Sequence, residues 1–470
     1  MDRRVRFGDI NGMSTYRNIE LPESTTVGDL KEVARDYEAI CITSMGAIVE
    51  RYESTAGYPY IDTKINLITG RDFDDDDPIR GKGAIYGWIQ GRGLEALAGH
   101  SSWLSERGEH DELVRRMETM LREILDNLRQ VRDRNDGHIC FFMTPEGAPF
   151  TLDSRSQPVP FAAGHVHPYG FSDLFSSKGM FAAADYLGDG AARSEALEYV
   201  GTVEDSMWDR TYTTDQIALD PINRVEYKEG AHAQGHLMIQ IGAINLLVEN
   251  SVDGAIERGL RLVEHELATY ANLDGRIPEL QEGDFWENVD DAGQPFVEED
   301  GSIFSDPGHS LEFVGLAAKF IAVAEGASPS TDQLQRLTTA KQRLPILLER
   351  NFDNGYFPGP RGISKGFDLV SRTHVNTDMP WWNLPETIRA AAYCFSQTGD
   401  EGVRAISLRI IRDAHNALLR HLRPDLHLMA YQTRDAAGQP VDLIPATADA
   451  DPGYHTGLSL IDTIGVIDSL

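Results

Sequence analysis

Cysteine is scarce in this chain, with three in 470 residues. Cys41, Cys140 and Cys394 lie far apart, which excludes a disulfide framework and a CxxC metal site. Long apolar runs are missing too. The longest, such as 237–248, fall short of the roughly 18 residues that cross a bilayer, so no membrane partner is expected. Positive charge is thin: 43 Lys and Arg stand against 74 Asp and Glu, a net −31. Such a surface repels nucleic acid and anionic lipid. Lysine is rarest, eight against thirty-five arginines, a balance suited to a salt-adapted or high-GC source. The charged start, Met1–Asp9, has no apolar run behind it, so a soluble, cytoplasmic protein is the expectation.

What remains is ample material for a core, with 41% hydrophobic residues. Helical periodicity recurs over 26–53, 87–104, 110–134, 171–186, 190–210, 232–250, 253–272, 308–325, 331–351, 380–396, 399–422 and 454–468. Little convincing strand is left, only short extended pieces such as 138–143 and 426–433 that suit small hairpins. Connections alternate between tight, as at 188–190 and 397–400, and long. The helix after each tight turn carries a one-sided apolar stripe, as 110–134 does. The helices after long loops, such as 308–325, are apolar nearly all round. Six such pairs predict an all-α (α/α)6 barrel, one catalytic domain over 1–470, with six inner and six outer helices and β-hairpins in the long loops. The long loops then feed the N-terminal ends of the inner helices at one mouth, where helix dipoles favour a developing anion.

Unusual side chains gather at those helix starts. Trp88, Gln90 and Arg92 precede or open one helix, and His232 and His236 another. His309 and Glu312 are three apart on a third; Trp381, Trp382 and Glu386 mark a fourth, and His455 a fifth. A lone histidine on an apolar helix is more often a satisfied core residue than a catalyst, and a Trp-Trp pair is usually packing. The shared placement at one end argues for a site.

These residues resemble the N-acylglucosamine 2-epimerase superfamily, which includes cellobiose 2-epimerases, mannose isomerases and sulfoquinovose isomerases. Gln90-Gly91-Arg92 is similar to its aromatic-x-QGR segment, and His236 to the histidine ahead of its third inner helix. His309-Ser310-Leu311-Glu312 resembles its HxxE signature, Trp381–Glu386 its WWxxxE element, and Tyr454-His455 its C-terminal aromatic-His pair. Family members commonly carry an arginine three residues after that histidine. Here the position is Leu458, so family-typical substrates need not apply.

The resemblance implies an isomerase acting on a free reducing sugar through a cis-enediolate formed by proton abstraction at C2. The product is then either the ketose or the 2-epimer. Such chemistry needs a base of near-neutral pKa and fixed positive groups at the nascent oxyanion. It implies His309 as base, oriented by Glu312, with His455 as the second acid/base. Arg92 and His236 would hold the O1/O2 edge. Trp382, Trp381, Trp88, Gln90, Glu386 and the loop residue Trp286 would bind the sugar. Hydrogen moves as a proton, so neither cofactor nor metal is expected, and a monomer or homodimer both suit.

Two rivals use other residues. A barrel glycoside hydrolase or lyase would need opposed carboxylates, with candidates Glu312, Glu386, Glu298, Glu299, Asp300 and Asp306. A metal site would use His165 and His167, or the i,i+4 pair His232 and His236, though the HExxH glutamate is missing. The acidic run 74–77 lacks alternating ligand spacing and reads as a solvated turn.

Overall fold

The computed structural model describes residues 16–217, 219, 228–443 and 446–470. Twelve α-helices form among them: α1 Val27–Glu53, α2 Gly87–Arg107, α3 Asp111–Arg134, α4 Phe171–Tyr186, α5 Gly190–Trp208 and α6 Gly235–Glu249. The second half comprises α7 Ala255–Thr269, α8 Pro307–Gly326, α9 Thr331–Gly355, α10 Asn383–Ser396, α11 Glu401–Leu418 and α12 Ser459–Asp468. None is long and apolar enough to cross a membrane.

Periodicity decides which helices lie outside. On α3 the buried residues Leu113, Met117, Leu121, Ile124, Leu128 and Val131 recur every three or four positions, and charge fills the remaining face. On α8 burial runs from Pro307 through Ala318 with little interruption, so neighbours cover every side. The even-numbered helices pack each against the next, α2 on α4, α4 on α6, α6 on α8, α8 on α10 and α10 on α12. The odd-numbered helices pack outside them, and α1 lies against α12. This is the expected (α/α)6 barrel.

Capping sets where helices begin. Asp306 accepts from the backbone N–H of Gly308 and His309, with Pro307 in the first turn of α8. Thr26 and Asp29 form a capping box on α1, and Ser330 and Gln333 another on α9.

The extended pieces form the expected hairpins in part, as 422–423 with 429–430, and also pair across loops. Phe142–Met143 lies against Ile85–Tyr86, across two loops rather than within one hairpin. Thr433–Arg434 pairs with Met379–Pro380 in the same way. These links tie neighbouring mouth loops together, alongside true hairpins such as 366–368 with 373–376. The segment 454–468 is also not one α-helix. Tyr454–Leu458 forms a π-helical turn ahead of α12. Asp451 holds it by accepting from the backbone N–H of Tyr454 (2.9 Å), His455 (3.2 Å) and Thr456 (2.8 Å).

Candidate active site

The segment Gln90-Gly91-Arg92 divides its labour. Both ends of the buried Gln90 amide bind the backbone of Ile61, at 2.8 and 2.9 Å. Gln90 therefore fastens a mouth loop and is fully buried there, instead of taking its expected place in sugar binding. A Cβ at Gly91 would sit 2.3 Å from the Phe175 carbonyl carbon, so only glycine lets α2 and α4 approach so closely. Arg92 forms no ion pair or protein hydrogen bond among the described residues, and its Nε is buried without a partner. Its guanidinium lies over Phe175 (4.1 Å), Trp88 and Tyr454 (both 5.5 Å). Burial lowers its pKa. An aromatic cradle thus holds a cation uncommitted to any carboxylate.

Trp88 belongs to that cradle rather than to the sugar's path. Phe141, Phe171 and Phe175 pack around its ring, and its Nε1 donates to Asp215 (3.0 Å). Trp286 is also displaced from its expected role at the mouth: it is fully buried, under the Arg276 guanidinium.

His309 and His455 both neighbour Trp382, with ring centroids 5.4 and 5.5 Å from the indole. Each imidazole has its own carboxylate, and neither is Glu312. His309 Nδ1 meets Glu287 Oε1 at 3.0 Å, with Asp306 Oδ2 at 3.7 Å. Glu312 does not orient His309 as the HxxE spacing suggested. Burial works to lower the His309 pKa, but Asp306 and Glu287 outweigh it and push it up to about 9. Lys365 closes the group, 3.0 Å from Asp306 and over the Trp382 ring.

His455 Nδ1 meets Glu386 Oε1 at 3.0 Å, and Glu386 also binds Arg389 one turn along α10. Arg389 and His455 overcome burial and keep Glu386 below the usual carboxylate range. Glu312 goes the other way. Burial and the neighbouring Glu386 raise its pKa, so the two carboxyl groups are shifted in opposite directions. Trp381 donates from Nε1 to Thr456 (3.3 Å), which fixes the turn that carries His455.

His236 stands apart from this cluster. It stacks on Tyr212 (centroids 4.8 Å), and burial lowers its pKa to about 4, with His265 and His232 as its charged neighbours. The structure records no contact between it and His309, Glu312 or His455. Its expected hold on the O1/O2 edge lacks a geometric basis.

One donor of each of Glu312, Glu386 and His455 lies within 4.8 Å of the others, the closeness a metal ion would need. Arg389 already places a positive charge on Glu386. The histidines considered earlier as ligands are elsewhere: His165 and His167 pack with Phe161 in an exposed loop, and His232 pairs with Asp291. Among the remaining hydrolase candidates, Glu298 pairs with Lys228 and Asp300 caps a loop turn at Ser302.

The sequence reading missed Glu287, Lys365 and Arg389. Arg389 was the most legible, three residues beyond Glu386 on one helical face.

No family model matches the sequence, and no curated protein matches it. Solved structures do match in shape. A sugar epimerase from a ruminal bacterium superposes with a TM-score of 0.64 at 10% identity, covering 93% of this chain and 98% of that one. A D-mannose isomerase gives 0.57 at 15% identity, covering 91% and 97%. A possible member of GH105 family from Salmonella enterica gives 0.51 at 12% identity, covering 93% and 95%. At these identities the likeness concerns architecture, and the chain carries the (α/α)6 barrel that sugar epimerases and isomerases of known structure share.

Proposed function

We propose that the chain is a sugar isomerase of the N-acylglucosamine 2-epimerase type. It would act on a free reducing monosaccharide such as mannose through a cis-enediolate. The observation that carries this reading is the pair of imidazoles that both neighbour Trp382, each anchored at Nδ1 by a separate carboxylate, with the uncommitted Arg92 over Tyr454, whose ring meets His455. Two proton-transfer groups and one fixed cation are what enolisation of an open-chain sugar requires.

The steps follow from the charges. His309, largely an imidazolium at neutral pH, gives its proton to the ring oxygen while His455 takes the O1 hydroxyl proton. The C1–O5 bond breaks and the C1 carbonyl forms. His309, now neutral, removes the C2 proton, and the electron pair moves onto the C1 oxygen. Arg92 and the proton on His455 stabilise that oxygen. Transfer of the O2 hydroxyl proton to O1 by way of His455, with return of a proton to C1, gives the ketose; delivery to the opposite face of C2, with the C1 carbonyl re-formed, gives the epimer. Trp382 offers its face to the sugar's C–H surface.

The hydrolase alternative fits less well. Glu312 and Glu386 are side by side and buried, with opposite pKa shifts, instead of facing each other across room for a glycosidic oxygen. Proton NMR of free aldoses and ketoses with the protein in deuterated water tests the proposal. Deuterium at C1 or C2 of a converted sugar is the expected result. Release of phenol from an aryl glycoside, with no change in any monosaccharide, would overturn it.

A further inference from the structure

Below the cluster, the barrel axis is not filled with aliphatic side chains. A cavity of about 930 Å³ runs down the C-terminal halves of all six inner helices, from Glu386 and Tyr454 to Arg107 and Asp468. A continuous series of charged groups lines it. Glu386, which holds His455, binds Arg389; Arg389 Nη1 is 3.6 Å from Asp462 Oδ2; Asp462 Oδ1 binds Lys319 Nζ at 2.9 Å. Lys319 then reaches Glu249 at 3.3 Å, a carboxylate 36% exposed at the far end. Lining residues also carry buried polar atoms without a protein hydrogen-bond partner, among them Arg389 Nε, Asn245 Oδ1 and Trp103 Nε1. Charged groups along a wall of mixed polarity, room for many water molecules and unmet hydrogen-bonding groups together define a hydrated space.

We propose that this shaft is the route by which His455 exchanges its ring proton with bulk water while a sugar occupies the mouth. The proposal rests on the isomerase reading and adds to it a second door, at the opposite end of the barrel. The His455 Nδ1 proton passes to Glu386 and on to shaft water, and a solvent proton returns by the same path. Only N–H and O–H bonds break and form, with no change of oxidation state. His455, having taken a substrate proton on its other nitrogen, thereby returns to its starting charge without opening the mouth.

Gly465 gives a way to plug the shaft. It lines the exposed outer end of the shaft on α12, and a Cβ added there meets nothing within 4 Å, so a larger side chain fits at that end without strain. Gly465→Phe and Ala322→Phe, both remote from the cluster, are compared with the parent in ¹⁵N-histidine-labelled protein with mannose added. Solvent exchange of the His455 Nδ1 proton should slow several-fold in the plugged variants, and an unchanged rate in both folded variants overturns the proposal. A parent that converts no sugar refutes the isomerase reading, and the ring-proton rate then decides the shaft by itself.

Discussion

At the scale of single residues, the site works by holding like groups in different states. His309 sits between Asp306 and Glu287, and its pKa near 9 leaves roughly one neutral imidazole in a hundred at pH 7. The proposed steps begin with the imidazolium, so the activity should fall as pH rises through about 9. Glu287→Gln removes one of the two carboxylates, so the falling limb of the kcat/KM profile should move to lower pH by about one unit. A limb that stays in place would show that Glu287 does not set this group's state. The same ion pairs bear on folding. Because the folded pKa lies above the unfolded one, their stabilisation is present below about pH 6.5 and lost as pH rises through 9. Gln90 is the contrasting case. Gln90→Ala strands two buried backbone groups of Ile61 and should cost about 2 kcal/mol in denaturant melts.

At the scale of elements, the barrel places its chemistry through seams and caps. Gly91 on α2 and Gly179 on α4 meet backbone to backbone, so Gly91→Ala should cost more than about 3 kcal/mol and lower activity by tilting Arg92. Thermal melts and turnover of the soluble fraction would show both effects. Helices and their polarity were legible because an apolar stripe of period 3.6 survives in a single sequence, and 171–186 matches α4 residue for residue. The partners of the histidines were not legible. Glu287 lies 22 positions from His309 in an irregular loop, and nothing in helical spacing links the two. Glu312 occupied the textually obvious position, yet α8 directs it toward Glu386 and His455. Gln90 and Trp88 were misread because a motif names residues without saying which face each presents.

At the scale of the whole molecule, charge and burial set the conditions for stability. His100 and His421 are fully buried, and burial lowers their pKa values to about 4 and about 3. The unfolded chain binds protons there first, so stability should fall as pH drops below about 6.5 and keep falling towards 4. A Tm that is flat over that range would contradict it. With a net charge of −31, added salt should raise Tm by screening carboxylate repulsion.

The seam between α1 and α12 has a kinetic corollary. Cys41 on α1 reaches the carbonyl of Gly457, 416 positions away, and the turn containing Gly457 also carries His455. Neighbouring helix pairs dock over short spans of chain, whereas this last junction must overcome the entropy of a very large loop. Refolding should thus pass through a crescent that already has most of its helices but no turnover. Recovery of activity would time the closing of the circle, not the formation of the helices.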